Sequence, residues 1–411
     1  LLQQQSQIIQ QPRGNKDTMD ALKYLQEIDS SFYRVEKTYY DNNALTDSLI
    51  QGYYGISTYN STLNKNIIDF NNNFMKEEDN NWFAQFIFSN NPDNLTQYSL
   101  LGMKYLLTKR LPQYMQQFEI LNKFGDVYVL HNKNVDSAIA FYEHLISREE
   151  FDSLSYIEKL DVYSCAMVVE NEQEKVISYS KIYKELNYQD ITLDCAIRKD
   201  QSNISQTMEV LDGEEIIFLS NLEGRNSIYF QFDIACNFDG SISIVADNGN
   251  GYLEENVHYE TVSQGREKSI KYLLPENTTS IRINGTSTVF SIKNFKLLEL
   301  KKSLIPQIQT QELELDKKED ILSGIVTTKT DGYLFLPVVY QDGWKAELDQ
   351  KPVELIQADA GFIGLRLSQG THSFCLKYEM PWKKQGAILS LFGVTIWGVL
   401  LLKEKRKRTE N

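Results

Sequence analysis

The 411 residues carry 42 Lys and Arg against 56 Asp and Glu, for a formal net charge of −14. A chain of this length exceeds the roughly 250 residues at which a single hydrophobic core stops growing, so two to four modules are expected. The last nine residues hold five Lys/Arg and two Glu, a net of +3, which leaves −17 on residues 1–402; so acidic a surface argues against nucleic acid as a partner, because that binding rests on Lys and Arg neutralising phosphates.

Leu1 to Pro12 have no initiator Met, no basic stretch and no apolar core, so they read neither as a signal peptide nor as a natural start, and the chain is expected to be a fragment. Residues 1–135 then mix helical and strand patterns and read as an α/β module. Asp17 to Glu27 and Leu63 to Phe74 have helical periodicity, while Phe32 to Thr38, Leu101 to Thr108 and Asp126 to His131 read as strands. Residues 136–189 place Phe151, Leu154, Ile157 and Leu160 three apart, with Leu145 six before them, a near-helical recurrence that predicts a helical connector.

From 190 to 303 the pattern changes to short alternating runs, such as Ser227 to Ile234, Gly240 to Val245 and Ser280 to Asn284, punctuated by Gly, Asn and Asp. That rhythm predicts a β-sandwich of jelly-roll type. A second sandwich is expected over 304–381 from Gly332 to Tyr340, Gly361 to Leu367 and Thr371 to Tyr378. Gly386 to Leu402 is uncharged and apolar, at the short end of the roughly 17 to 25 residues that span a bilayer, and the basic tail 403–411 follows at once. A tail of that kind marks the cytoplasmic side, which puts the bulk of the chain outside the cell membrane, with the lipid bilayer as its first partner. Trp382, Lys383 and Lys384 read as an interfacial anchor. Gly386, Ser390 and Gly393 recur at i, i+4 and i+7 and form a small-residue face against which another membrane helix can pack. The fold class predicted is thus α+β and mostly β, with an N-terminal α/β module, a helical connector, two sandwich-like modules and one C-terminal transmembrane helix.

Chemistry is less legible. His131, His144, His258 and His372 stand far apart and match no metal-binding spacing, no nucleophile elbow or phosphate loop occurs, and no cofactor is implied. Adjacent acids such as Glu214 and Glu215 face opposite ways on a strand and read as solvated surface. Cys165, Cys195, Cys236 and Cys375 allow three pairings, among which the sequence does not choose. Aromatics make up 12% of the chain, with 24 Tyr; such rings serve strands as half-buried residues and also serve surfaces that stack sugars.

The segments Asp331 to Ala346, Ala360 to Leu367, Gly370 to Phe374 and Tyr378, followed by the apolar helix, resemble the C-terminal end of the bacterial YfhO family in order and spacing. Upstream, Phe32-Tyr-Arg-Val-Glu-Lys37, Tyr53-Tyr-Gly-Ile-Ser57 and Ser99 to Leu107 resemble the soluble segment that follows that family's membrane bundle. Tyr340, Gly343, Trp344, Phe362, Gly370 and Tyr378 carry most of the C-terminal match and read as structural: the glycines suit turns and the aromatics a sandwich interior. The resemblance implies a GT-C-like glycosyltransferase that decorates wall polymers, such as lipoteichoic acid, from a polyprenyl-phosphate-linked sugar. It further implies that the catalytic acid lies in the membrane bundle's outer loops, so no catalytic residue is carried over. This part is then expected to receive or position the acceptor polymer or to cap the catalytic cavity, with wall glycan or the polyprenyl-phosphate-linked sugar and the missing transmembrane bundle as its partners. The alternative is a membrane-anchored carbohydrate-binding or adhesin ectodomain without activity; Tyr378 to Lys384 holds no sortase motif that would attach it to the wall.

Overall fold

The computed structural model describes residues 15–39, 41, 47–59, 63–73, 85–86, 93–111, 117–170, 176–186, 189–191, 194–196, 207–210, 215–219, 222, 228–247, 257–265, 267–275, 277–286, 289–299, 309–316 and 320–409. Among these the architecture is α+β and mostly β. The first helix, Lys16–Ile28, starts where the Asn15 side chain accepts the Asp17 backbone N–H, and it buries Ala21, Leu22 and Leu25 along one face. That face covers a sheet ordered Arg34–Lys37, Met103–Thr108, Val127–Asn132, Phe118–Phe124. The first pair is parallel and the others are antiparallel.

The stretch 136–189, expected as a helical connector, is built differently. It holds the short helices Arg148–Ser153, Tyr156–Tyr163 and Tyr179–Leu186, but also the strands Ala140–Tyr142, His144–Ser147 and Ala166–Val169. Those strands join C-terminal ones in a six-stranded sheet ordered Ala140–Tyr142, Gly332–Val339, Phe362–Leu367, Ile356–Ala358, Ala166–Val169, His144–Ser147. The regular spacing from Leu145 to Leu160 comes from one strand followed by two separate helices, the second opened by a Ser155/Glu158 capping box. Ala166–Val169 is buried at every position, so it lacks the alternation that marks a half-exposed strand.

Gly332–Val339 is likewise buried throughout, because its two faces feed two cores. Tyr333 and Phe335 point into a layer of helices and loops with Ile67, Phe70, Tyr98 and Tyr163. Leu334, Leu336 and Val338 meet Leu322, Val326, Phe374 and Leu376 of a second sheet, ordered Gln309–Asp316, Ile321–Thr328, Gly370–Tyr378, Trp344–Leu348, Lys351–Val353. Residues 304–381 thus contribute to a sandwich, but one sheet is completed by strands from 140–169. The body of the molecule is made from both ends of the chain.

Between those ends, 190–303 forms a β-sandwich of its own. One sheet is ordered Gln189–Ile191, Phe290–Glu299, Ile228–Cys236, Glu267–Leu273, with Thr207–Val210 also on Phe290–Glu299; the other is ordered Asp194–Ala196, Glu215–Leu219, Ser280–Thr286, Gly240–Asp247, Val257–Val262. Phe230, Phe232, Ile234, Ile244, Ile283 and Ile292 fill the space between them. The sandwich meets the body through Lys271, whose Nζ lies 2.6 Å from Asp161 Oδ1 with both side chains buried. Tyr229 packs against both cores beneath that ammonium, 5.0 Å away.

The chain ends in the helix Lys383–Thr409. Its 20-residue segment Lys383–Leu402 buries nothing against the rest of the protein. At 1.5 Å per residue that segment is about 30 Å long, the thickness of a bilayer's hydrocarbon core. Apolar side chains such as Leu389, Phe392, Ile396 and Trp397 point outward around it, and the Thr395 hydroxyl donates back to Phe392 O. Polar groups satisfied within the helix and apolar groups all round are what lipid requires.

Candidate functional site

The residues expected to form an anchor fall where the body hands over to the helix. Gly343 has φ +104°, and a Cβ there would stand 2.5 Å from Glu379 O and 2.8 Å from the Tyr378 ring. Glycine lets this turn lie directly on the exit strand, where Glu379 N donates to Gly343 O at 2.8 Å. Trp344 and Tyr378 pack with ring centroids 5.1 Å apart, and the Trp344 indole N–H has no hydrogen-bond partner among the described residues. Beyond this clamp, Trp382 takes φ +63° with its indole exposed, and Lys383 and Lys384 are exposed at the helix start. Gly386, Ser390 and Gly393 are exposed on the helix, and Cβ atoms at either glycine would meet nothing within 4 Å.

The other C-terminal motif residues are distributed. Tyr340 receives the Asn66 side-chain amide on its carbonyl at 2.6 Å, and its own N–H donates to Gly361 O. Phe362 packs edge-on against Phe70 at 4.7 Å and near Phe335 at 5.8 Å, so it belongs to the core shared by both ends of the chain. Gly370, at φ +136°, opens the last strand.

The upstream segments do come together, although nothing in their order along the chain reveals it. Arg34 is buried and donates to Leu101 O and, at 2.8 Å, to Pro337 O, tying the N-terminal sheet to Gly332–Val339. Burial lowers its guanidinium to about 10. Glu36 accepts the backbone N–H groups of Lys37, Ile56 and Ser57; burial pushes its carboxyl up. Lys37 Nζ reaches Asp47 at 2.7 Å, Gln51 at 2.9 Å and Asp41 at 3.1 Å, all buried. This network fixes 47–57, so that Tyr53 and Tyr54 stand beside Tyr33. Together with Leu22, Gln26 and Asp29 they line a cleft of about 310 Å³. Burial pushes the Asp29 carboxyl up, but hydrogen bonds from Lys104, Ser31 and Tyr105 outweigh it and hold the group below its ordinary value.

Two further arrangements escaped the sequence. Asp359 is completely buried: its Oδ1 accepts from Val168 N while its own N–H donates to Val168 O, both at 2.8 Å, and Oδ2 has no partner among the described residues. Burial raises this carboxyl to about 7. Ser368 Oγ, His372 Nε2 and Asp349 Oδ2 line up with separations of 3.2 Å and, from His372 Nδ1, 2.7 Å. They resemble a hydrolase triad in distance alone. Nε2 also lies 3.0 Å from Ser368 O and Ser368 is exposed, so the ring bridges two hairpin turns. Cys165 and Cys236 are buried, and the Cys236 thiol donates to Val262 O at 3.4 Å. Among the described residues no cluster of His, Cys, Asp and Glu is arranged to hold a metal.

A family model described as bacterial membrane protein YfhO matches residues 2–390. The chain belongs to the YfhO family. An uncharacterized protein YfhO of Bacillus subtilis (strain 168) is 22% identical over 370 residues, which cover 87% of this chain and 42% of that protein. This YfhO-family chain therefore spans less than half the length of that relative. Among solved structures, a carbohydrate-binding module from Cellvibrio mixtus lichenase 5A, in complex with cellotriose, is 13% identical over 26% of this chain and 97% of its own, with a TM-score of 0.18. The K3 cleaved adhesin domain of Lys-gingipain from Porphyromonas gingivalis is 7% identical over 26% of this chain and 71% of its own, with a TM-score of 0.17. The membrane character of the family accords with the apolar, unpacked helix Lys383–Leu402.

Proposed function

We propose that this chain is the extracytoplasmic C-terminal part, with the last membrane helix, of a YfhO-family glycosyltransferase of GT-C type. Such an enzyme moves a sugar from a polyprenyl phosphate to a wall polymer such as lipoteichoic acid. In this reading the body receives or positions the acceptor, and the catalytic groups belong to the membrane part of longer family members. The observation that carries the reading is the handover at Gly343 and Glu379, which ties a folded body to a helix whose apolar surface needs lipid. The basic tail after Leu402 keeps the C-terminus in the cytoplasm and the body outside. Gly386, Ser390 and Gly393 then offer the face on which the remaining membrane helices pack.

The test uses a full-length family member in its own membrane, with the segment equivalent to residues 15–378 removed and the last helix retained. Incorporation of labelled sugar into wall polymer is measured, with membrane insertion checked by fractionation. The reading expects insertion to persist and incorporation to fall at least tenfold. Unchanged incorporation would remove the body from acceptor handling, and a full-length protein with no transfer activity would leave the anchored binding module as the reading.

A further inference from the structure

Outside the anchor, the cleft over the N-terminal sheet is the surface whose lining selects a ligand class. Tyr33, Tyr53 and Tyr54 are half-buried there, and two of the rings are held by edge contacts: Tyr33 on Tyr105 at 4.9 Å and Tyr54 on Phe32 at 5.3 Å. Among the described residues the Tyr33 and Tyr53 hydroxyls make no hydrogen bond, so they are left for a ligand or water. The charges around them are already committed. Asp29 takes Ser31 on one oxygen and Lys104 and Tyr105 on the other. Lys37 is held by Asp41 and Asp47, and Arg34 by two carbonyls.

We propose that this cleft binds a neutral pyranose, the sugar ring lying against the tyrosine faces and its hydroxyls meeting the Tyr33 and Tyr53 phenols. The electron-rich face of an aromatic ring attracts the weakly positive axial C–H bonds of a pyranose, and Tyr adds a polar tip that exchanges hydrogen bonds with sugar hydroxyls. Burial, with Asp29 nearby, raises the Tyr33 phenol to about 12, so the hydroxyl keeps its proton at physiological pH. Because no charge in the cleft lacks a partner, neither a phosphate nor an ammonium group finds a counter-ion there, and a neutral ligand avoids an uncompensated charge. At about 310 Å³ the cleft sits at the small end of ligand sites, which span roughly 300–1,000 Å³. The inference rests on the reading of the chain as a sugar-handling part of a YfhO-family enzyme, and it assigns that task to the N-terminal module.

The experiment is saturation-transfer NMR on the full chain in nanodiscs, using methyl glycosides of glucose, galactose and N-acetylglucosamine, with glycerol 3-phosphate as the charged control. At least one glycoside is expected to bind with a dissociation constant in the millimolar range and the control to stay silent. Tyr53→Ala should weaken binding at least tenfold and Tyr33→Phe two- to threefold. Ser30→Trp, at an exposed position on the rim, should abolish binding while the circular dichroism spectrum and Tm stay those of the parent, which separates loss of the cleft from loss of the fold. Silence across the glycosides, equal transfer to the control, or unchanged binding in Ser30→Trp would overturn the inference. Sugar incorporation by the full-length enzyme together with a silent cleft would discard the cleft alone. Glycoside binding together with an inactive full-length protein would discard the transferase reading and leave the cleft standing.

Discussion

The inserted sandwich and the body that carries it differ in the origin of their cores. In the sandwich, residues buried together come from one continuous stretch, and Ile228–Cys236 buries every second side chain while the others are only partly covered. In the body, Phe70, Tyr163, Phe335 and Phe362 meet from segments nearly 300 residues apart in the chain. The sandwich draws its core from one continuous stretch and touches the body at a narrow seam, whereas the core of the body needs both ends of this chain. Arg34 on Pro337 O and Asn66 on Tyr340 O show the same dependence in hydrogen bonds.

The largest expected effect tests that dependence. Phe362→Ala removes a side chain touching both ends and should cost about 3–5 kcal/mol. Hydrogen exchange should then rise in 103–108 and 332–339 together and stay unchanged in 228–236. Exposure confined to the C-terminal strands would break the comparison.

Lys271→Ala leaves Asp161 buried without its cation, a loss of about 3 kcal/mol at the low end for a broken buried pair, since the Tyr179 hydroxyl still donates to Asp161. The account expects calorimetry to show the sandwich and body transitions moving apart, because their shared seam is weakened. A single shifted transition would mean that the two fold as one.

Gly343→Ala forces a side chain into φ +104° against Glu379 O and should cost about 1–3 kcal/mol. That loss is expected to loosen 376–382 ahead of everything else, seen as proteolytic cleavage just before the membrane helix. Cleavage elsewhere would place the clamp wrongly.

Asp359→Asn has the smallest effect at low pH and a growing one as pH rises. Burial lifts the Asp359 carboxyl from 3.8 to about 7, so its folded form holds a proton that the unfolded chain has released. The stability it contributes is therefore complete below pH 3.8 and lost as pH climbs through about 7. The amide keeps the bond from Val168 N and cannot ionise, so the urea midpoint of the variant should exceed that of the parent at pH 8 and match it only below pH 3.8. An identical pH dependence in the two proteins would show that the carboxyl is not buried.

How legible this was depended on whether a segment keeps one face in solvent. The runs at 228–236, 240–247 and 280–286 announce themselves because polar and apolar residues alternate around a single core. Gly332–Val339 and Ala166–Val169 are covered on both sides, so nothing in their order reveals that the second completes a sheet with the strands around the first. The Leu145 to Leu160 spacing misled because three-residue steps that run from Phe151 on one short helix, through Leu154 between the two, to Ile157 and Leu160 on the next imitate one longer helix. At the candidate sites, the apolar helix Lys383–Leu402 could be read from composition, since a long uncharged apolar run stands out in the sequence. The tyrosine cleft could not: Tyr33 and Tyr53 become neighbours through Glu36 and Lys37, whose partners stand 10 to 21 positions away.

In the proposed orientation the body faces outward and the tail inward across one membrane. An epitope tag placed after Asn411, with proteinase added to intact protoplasts, tests it most directly. The body should be digested while a tagged fragment of about the size of the last helix survives until detergent is added. Destruction of the tag in intact protoplasts, or survival of the body, would contradict the orientation on which the proposed role stands.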